Sequence, residues 1–395
     1  MQEPELRPFI LSALILAAVS CSVSAQEVRI GWRTDGSGRY PEADPPIRWS
    51  PGESVAWKTA MPSWSNSSPV LWTGALMIVC SEPDQVLGVD PHRGSIVWKQ
   101  SLGDVSPAYG VRTHRSNGYT SQTPVADRQR IYTLFGSGVV AAHTLEGKRV
   151  WARVVERPGH GWGHSASPAL GGGRLIVHMT DLIALDPATG KEVWRQPAKE
   201  KFGSPVVTRI SGEEIVITPA GDVFRAVDGK PLARGIGKLE YATPVVQEGV
   251  VYFIEKKAKA VKLPEQIDGA FETVWTARVN GSRHYSSPVI HNGLIYAISR
   301  EEKFSILDAK TGKLVFEKDL DLGEGTNSAY TSITLAGDKL FVGTESGTTV
   351  VIKPGGTYRE IARNTVEGFR SSPVFFGNRM YLRAFDHLYC FEKQR

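Results

Sequence analysis

Apolar and polar positions alternate along this chain in short bursts separated by turn residues, and the clearest group lies between Tyr285 and Leu320. Val289-Ile290 opens a first strand, and His291-Asn292-Gly293 turns. Residues 294–298 form a second strand, Glu301-Glu302 turns again, and 304–308 alternate as a third. Asp308-Ala309-Lys310-Thr311-Gly312-Lys313 is a reverse turn in which glycine supplies a positive φ at little cost. Leu314-Val315-Phe316 is the fourth strand. The pattern predicts four short antiparallel strands in about 40 residues, and the chain repeats it.

Each repeat opens on a hydroxyl residue, usually a proline, and an apolar residue. The copies are Ser68-Pro69-Val70, Thr123-Pro124-Val125, Ser167-Pro168-Ala169, Ser204-Pro205-Val206, Thr243-Pro244-Val245, Ser287-Pro288-Val289, Thr331-Ser332-Ile333 and Ser372-Pro373-Val374. Proline is tolerated at a strand's first residue, and the hydroxyl before it can bond a neighbouring backbone group. Several repeats close on a tryptophan strand after an acidic or glycine turn, at Trp98, Trp151, Trp194 and Trp275. A large flat ring on a last strand covers the seam between neighbouring sheets, which makes these core residues.

The eighth repeat stops after its third strand, at His387-Leu388-Tyr389-Cys390-Phe391. Its missing strand stands at the other end of the chain, where Val55-Ala56-Trp57-Lys58 resembles Ile96-Val97-Trp98-Lys99. The expected fold is therefore all-β: an eight-bladed propeller of four-stranded antiparallel blades around an axial pore, the last blade closed by an N-terminal strand. Closure of this kind removes free sheet edges.

The chain divides into a signal peptide over 1–25, a lead-in segment over 26–52 and the propeller over 53–395. An apolar run follows Arg7, and Val23-Ser24-Ala25 offers small residues at a cleavage position. That run is short for a membrane span, and no second one follows. The expected destination is outside the cytoplasm, periplasmic or secreted. The alternative is a lipoprotein acylated at Cys21, although Ala18-Val19-Ser20-Cys21 matches a lipobox poorly. A net charge of +5 spread along 395 residues lacks the clustered basic face of a nucleic-acid binder. Cys80 and Cys390 fall in the first and last repeats, which a ring brings together. They read as two buried thiols, with a disulfide as the alternative.

The Asp-x-x-Thr-Gly-Lys turn leading to a tryptophan strand, with Ser-Pro-Val starts, resembles the quinoprotein-type (PQQ-like) β-propeller repeat family over about residues 53–395. That family holds pyrroloquinoline-quinone dehydrogenases and a BamB-like non-catalytic branch. The resemblance implies the fold. In the catalytic members a quinone stacks between a tryptophan and a disulfide of adjacent cysteines, beside a calcium held by Glu, Asn and Asp. This chain has no adjacent cysteine pair. No calcium set carries over onto it.

In a propeller the first strand of each blade lines the channel, so residues just before each hydroxyl-proline signal should meet at one mouth. The candidate ligand-binding funnel comprises His114 and Tyr119 before the second signal, and His160, Trp162 and His164 before the third. Lys201, Glu240, Arg283 with His284, and Arg370 come from later repeats. Aromatic neighbours such as Phe202, Tyr241, Tyr285 and Tyr330 share those segments, as do Asn66, Asn117 and Asn327. Two histidines four residues apart, without a carboxylate or cysteine partner, make a weak metal signal, and no catalytic, cofactor-binding or metal-binding residue is expected. The expected function is an exported non-catalytic module binding a protein, glycan or small ligand at the channel mouth. The alternative is a PQQ-dependent oxidoreductase using calcium.

Overall fold

The structure is a computed structural model and describes residues 29–105, 111–323 and 328–393. Eight sheets follow one another along the chain, and in all but the last the strands run in sequence order from the inside outward. Blade 1 runs from Val70–Trp72 to Ile96–Ser101, and blade 2 from Val125–Ala126 to Arg149–Val154. Blades 3 to 7 begin at Ala169–Gly171, Val206–Ile210, Val245–Gln247, Val289–His291 and Thr334–Ala336. Blade 8 holds Val374–Phe376, Arg379–Arg383 and His387–Glu392. Its fourth strand is Val55–Ala60, antiparallel to His387–Glu392 with Trp57 opposite Cys390. The two ends of the propeller thus share a sheet. Among the described residues no helix is long and apolar enough to cross a membrane.

Every blade carries a bulge between its third and fourth strands. The extra residue leaves the ladder and flips the side-chain alternation. Val97, Val150, Val193, Val274 and Val315 are those extra residues, which is why they are exposed. The bulge aims the next residue at the neighbouring blade. Trp57, Trp98, Trp151, Trp194 and Trp275 each donate their indole N–H to a carbonyl of the next blade, at Pro91, Leu145, Pro187, Ala226 and Ala309, over 2.9–3.1 Å. Each ring also lies against the turn glycine of that blade. At Gly190 and Gly312 a Cβ would meet the indole at 2.5 Å, so φ and space both require glycine there. The turn is shaped by its aspartate: Asp186 Oδ1 accepts from the backbone N–H and hydroxyl of Thr189, both at 2.8 Å.

The hydroxyl residues that open the blades form a closed circuit. Ser68 N–H donates to Thr123, Thr123 to Ser167, Ser167 to Ser204 and Ser204 to Thr243, each to the side-chain oxygen. The circuit continues through Ser287 and Ser332 to Ser372, whose N–H donates back to Ser68. This corrects the reading of the seventh repeat. Ser332, not Thr331, is the ring residue, and Ile333 stands where the other blades have proline. Thr331 donates its hydroxyl to the Gly343 carbonyl instead. A one-residue slip is invisible when Thr and Ser are adjacent and the proline is absent.

The axial pore is not open. The lead-in crosses it just below the hydroxyl circuit. Ile30 pairs with Ala126 of blade 2, and Arg29 reaches the Leu170 carbonyl and Glu214 of blades 3 and 4. On the far side the guanidinium of Arg33 donates to the carbonyls of Pro288 and Ile333, and Arg39–Tyr40 adds a parallel fifth strand inside blade 7. Cys80 and Cys390 are free, buried thiols.

Candidate functional site

Above the lead-in lies a cavity of ≈ 400 Å³, within the range of small-molecule sites. Two tiers of eight residues build its wall. The lower tier is the hydroxyl circuit. The upper tier stands two residues earlier in every blade: Asn66, Ser121, Ser165, Phe202, Tyr241, Tyr285, Tyr330 and Arg370. Side chains two apart on an extended segment share a face, so both tiers look at the axis. Trp32 of the lead-in contributes to the floor; Ser116, Asn117, Trp162 and Arg283 stand around the wall. Among the described residues no aspartate or glutamate lines the cavity.

The upper tier is two-sided. Blades 1 to 3 supply the small polar residues, and blades 4 to 7 a run of rings. Phe202 and Tyr241 stack at 5.5 Å, Tyr241 meets Tyr285 edge-on at 4.9 Å, and Tyr285 stacks on Tyr330 at 4.6 Å with planes 3° apart. The Arg370 guanidinium lies over Tyr330 at 4.2 Å and is fixed by Glu345 at 2.5 Å. Arg283 donates to the Tyr285 hydroxyl at 3.2 Å.

Of the residues proposed from sequence, Trp162, Arg283 and Arg370 line this cavity. His114 is exposed and packs on Trp162, ring centres 4.1 Å apart. Tyr119 turns away, donating its hydroxyl to the Val111 carbonyl at 2.7 Å. His160 and His164 share Glu200, at 3.4 and 3.1 Å, and His164 has its other nitrogen on the Glu156 carbonyl. The bond from His164 and the nearby imidazoles hold the Glu200 carboxyl below its ordinary range. Among the described residues no cluster of three or more His, Cys, Asp or Glu is placed to hold a metal ion. Lys201 is buried in an ion pair with Glu240. His284 is buried with neither ring nitrogen bonded, and burial lowers its pKa to about 4. Asn327 lies outside the described residues.

His164, Lys201, Glu240 and His284 all stand three residues before a ring hydroxyl, and the odd offset turns them into the walls between blades. The residues two before carry the cavity. Period-two alternation counted from each hydroxyl was the signal that separates the two sets.

Buried carboxylates hold the mouth segments in place. Glu82 accepts from the N–H groups of Tyr119 and Thr120 at 2.8 and 2.7 Å, and burial raises its pKa. Glu255 accepts from three successive N–H groups, Glu240 to Ala242, and its pKa is also raised by burial.

Sheet order and circuit together define a closed eight-bladed β-propeller with a plugged axial funnel. The repeat is PQQ-like: the family model described as outer membrane protein assembly factor BamB matches residues 49–162 and 136–234. Among solved structures, BamB from Moraxella catarrhalis superposes with a TM-score of 0.64 at 15% identity, covering 86% of this chain and 98% of that one. Quinohemoprotein alcohol dehydrogenase from Comamonas testosteroni gives 0.61 at 12% identity, covering 88% and 79%. The computationally designed Ika8 protein gives 0.55 at 10%, covering 89% and 100%. These likenesses are of fold. No curated protein sequence matches the chain.

Proposed function

We propose that the chain is an exported, non-catalytic binding module whose rigid ring presents the axial funnel to a ligand. The observation that carries this is the two-tier wall. Eight blades deliver the same two positions to one concave surface, and the lead-in closes its lower end. The propeller holds those side chains in fixed places, so little ordering cost remains on binding. Export rests on the N-terminal sequence, which lies outside the described residues, and on the envelope assignment of the matching family model.

The oxidoreductase reading asks for a different donor set. Calcium takes oxygen ligands with carboxylates among them, and the described residues of the cavity wall offer hydroxyls, amides and guanidinium groups but no carboxylate. The adjacent-cysteine stack also lacks its residues, since Cys80 and Cys390 are separately buried in strands. The residues therefore do not fit a quinone held with calcium.

A thermal-shift screen of the full chain against small metabolites, with Tyr285→Ala/Tyr330→Ala as control, tests the module. Ligands that raise the wild-type melting temperature and not the variant's support it; ligands that act equally on both place binding elsewhere. Dye reduction in the presence of pyrroloquinoline quinone, calcium and an alcohol would replace it with the enzyme.

A further inference from the structure

We infer that the funnel is a metal-free anion site whose ligand is a small aromatic carboxylate. This deepens the binding-module reading and rests on it.

Three independent features of the wall point the same way. The first is charge. Among the described residues two arginines face the cavity and no acid does. Glu345 offsets Arg370, whereas Arg283 forms no ion pair among the described residues and touches only aromatic and phenolic groups, being 5.7 Å from the Tyr241 ring. One uncompensated cation therefore stands over the funnel.

The second is the state of the hydroxyl circuit. Each ring oxygen already accepts a backbone N–H from the neighbouring blade. A hydroxyl has one proton to give and two lone pairs. With one lone pair engaged on the ring, each hydroxyl keeps its proton and a second lone pair, so the tier can present eight O–H donors to the cavity. Among the described residues no carboxylate of the wall receives them. The Asn66 Oδ1 is a buried acceptor of the wall without a partner.

The third is ring orientation. Tyr285 and Tyr330 come from neighbouring blades and lie face to face, and Arg370 covers the outer face of Tyr330. The facing surfaces of these two rings are taken up between themselves and Arg370, which leaves their edges for a ligand. Aromatic edges carry the positive part of the quadrupole.

A cation is repelled by the arginines and by the ring edges. A neutral sugar leaves the charge of Arg283 unanswered. An inorganic ion leaves most of ≈ 400 Å³ unfilled. An aromatic acid matches each feature. Its carboxylate takes the donors, and its negative ring faces meet the tyrosine edges in T-shaped contact.

Calorimetric titration of the full chain with benzoate, benzamide and benzylamine tests this. These probes share a ring and differ in charge. Benzoate should bind at least about tenfold more tightly than benzamide, and benzylamine should give no heat. About 0.5 M sodium chloride should weaken benzoate and leave benzamide unchanged. Arg283→Gln should cost benzoate about tenfold or more with no change in melting temperature, and Arg283→Lys should restore part of it. Benzamide binding as well as benzoate, or Arg283→Gln binding benzoate like wild type, would overturn the anion assignment. If benzamide binds and Tyr285→Ala abolishes it, the funnel stands as a binding site and only the charge preference falls. No heat from any of the three at millimolar concentration overturns the assignment outright.

Discussion

The backbone N–H of Ser372 donates to the hydroxyl oxygen of Ser68 at 2.8 Å, across 304 positions of chain. That bond completes the circuit of eight and joins blade 8 to blade 1 at the axis, while Val55–Ala60 joins the same chain ends at the rim. Removing the acceptor leaves a buried N–H unpaired, which costs about 1–3 kcal/mol. Ser68→Ala should lower the urea midpoint accordingly. Ser68→Thr should not, because Thr123 and Thr243 fill the same role in their blades. Equal midpoints for Ser68→Ala and wild type would remove the circuit from the account of closure.

Two glycines of blade 6 separate backbone strain from steric contact. Gly293 and Gly312 both have φ of 72°. A Cβ on Gly293 meets open space, whereas one on Gly312 meets the Trp275 ring at 2.5 Å. Gly293→Ala should therefore cost only the left-handed penalty, about 1–2 kcal/mol. Gly312→Ala should cost about 1–3 kcal/mol more, the usual price of overpacking. Chemical denaturation of the pair checks the difference; equal losses would mean that the indole yields freely.

Acid should destabilise the protein through three buried histidines. His143, His178 and His284 are buried, and burial holds each near a pKa of about 4 against 6.5 in the unfolded chain. The unfolded state then binds more protons between those values. Stability is full above pH 6.5 and is lost as pH falls toward 4, by roughly 2–3 kcal/mol per residue. The urea midpoint measured from pH 7.5 to 4 should fall through that window. His284→Phe should flatten part of the fall, and an unchanged pH slope would show that His284 is hydrated in solution.

Arg33 is buried with a pKa lowered to about 10 by loss of hydration, and it pins the lead-in to blades 6 and 7. Arg33→Ala should free the lead-in without opening the ring, because the closing strand lies downstream of it. Trypsin should then cut at Arg39 and Arg48 several times faster, leaving the propeller intact and the Trp32 floor lost. Cleavage at the wild-type rate would mean that the strand pairing of Arg39–Tyr40 suffices to hold the segment.

Within the repeats, the strands between 289 and 319 lie where alternation places them, because a burst of apolar residues between turn formers has one sheet face to bury. The blade-8 closure was legible for the same reason: Trp57 repeats the local pattern of Trp98. The bulge valines were less so. A Val-Trp pair reads as two adjacent apolar residues until a ladder shows that one of them is left out.

The funnel was legible only in outline. His164, Lys201 and His284 are polar and sit beside the signals, yet an offset of three turns them into the walls, while Ser165, Phe202 and Tyr285 one step later face the axis. The slip at Thr331 and Ser332 has the same origin, since one residue of register exchanges inside for outside.

The sequence by itself determined the ring: eight copies of one local grammar, each too small to bury its own faces, with a split copy at the ends. Those are short-range preferences repeated, and repetition makes them readable. Only the tertiary structure decided what the ring encloses. The lead-in across the axis, the hydroxyl circuit and the arc of rings join residues tens to hundreds of positions apart, and no local rule brings them together until closure places eight separate segments around one line.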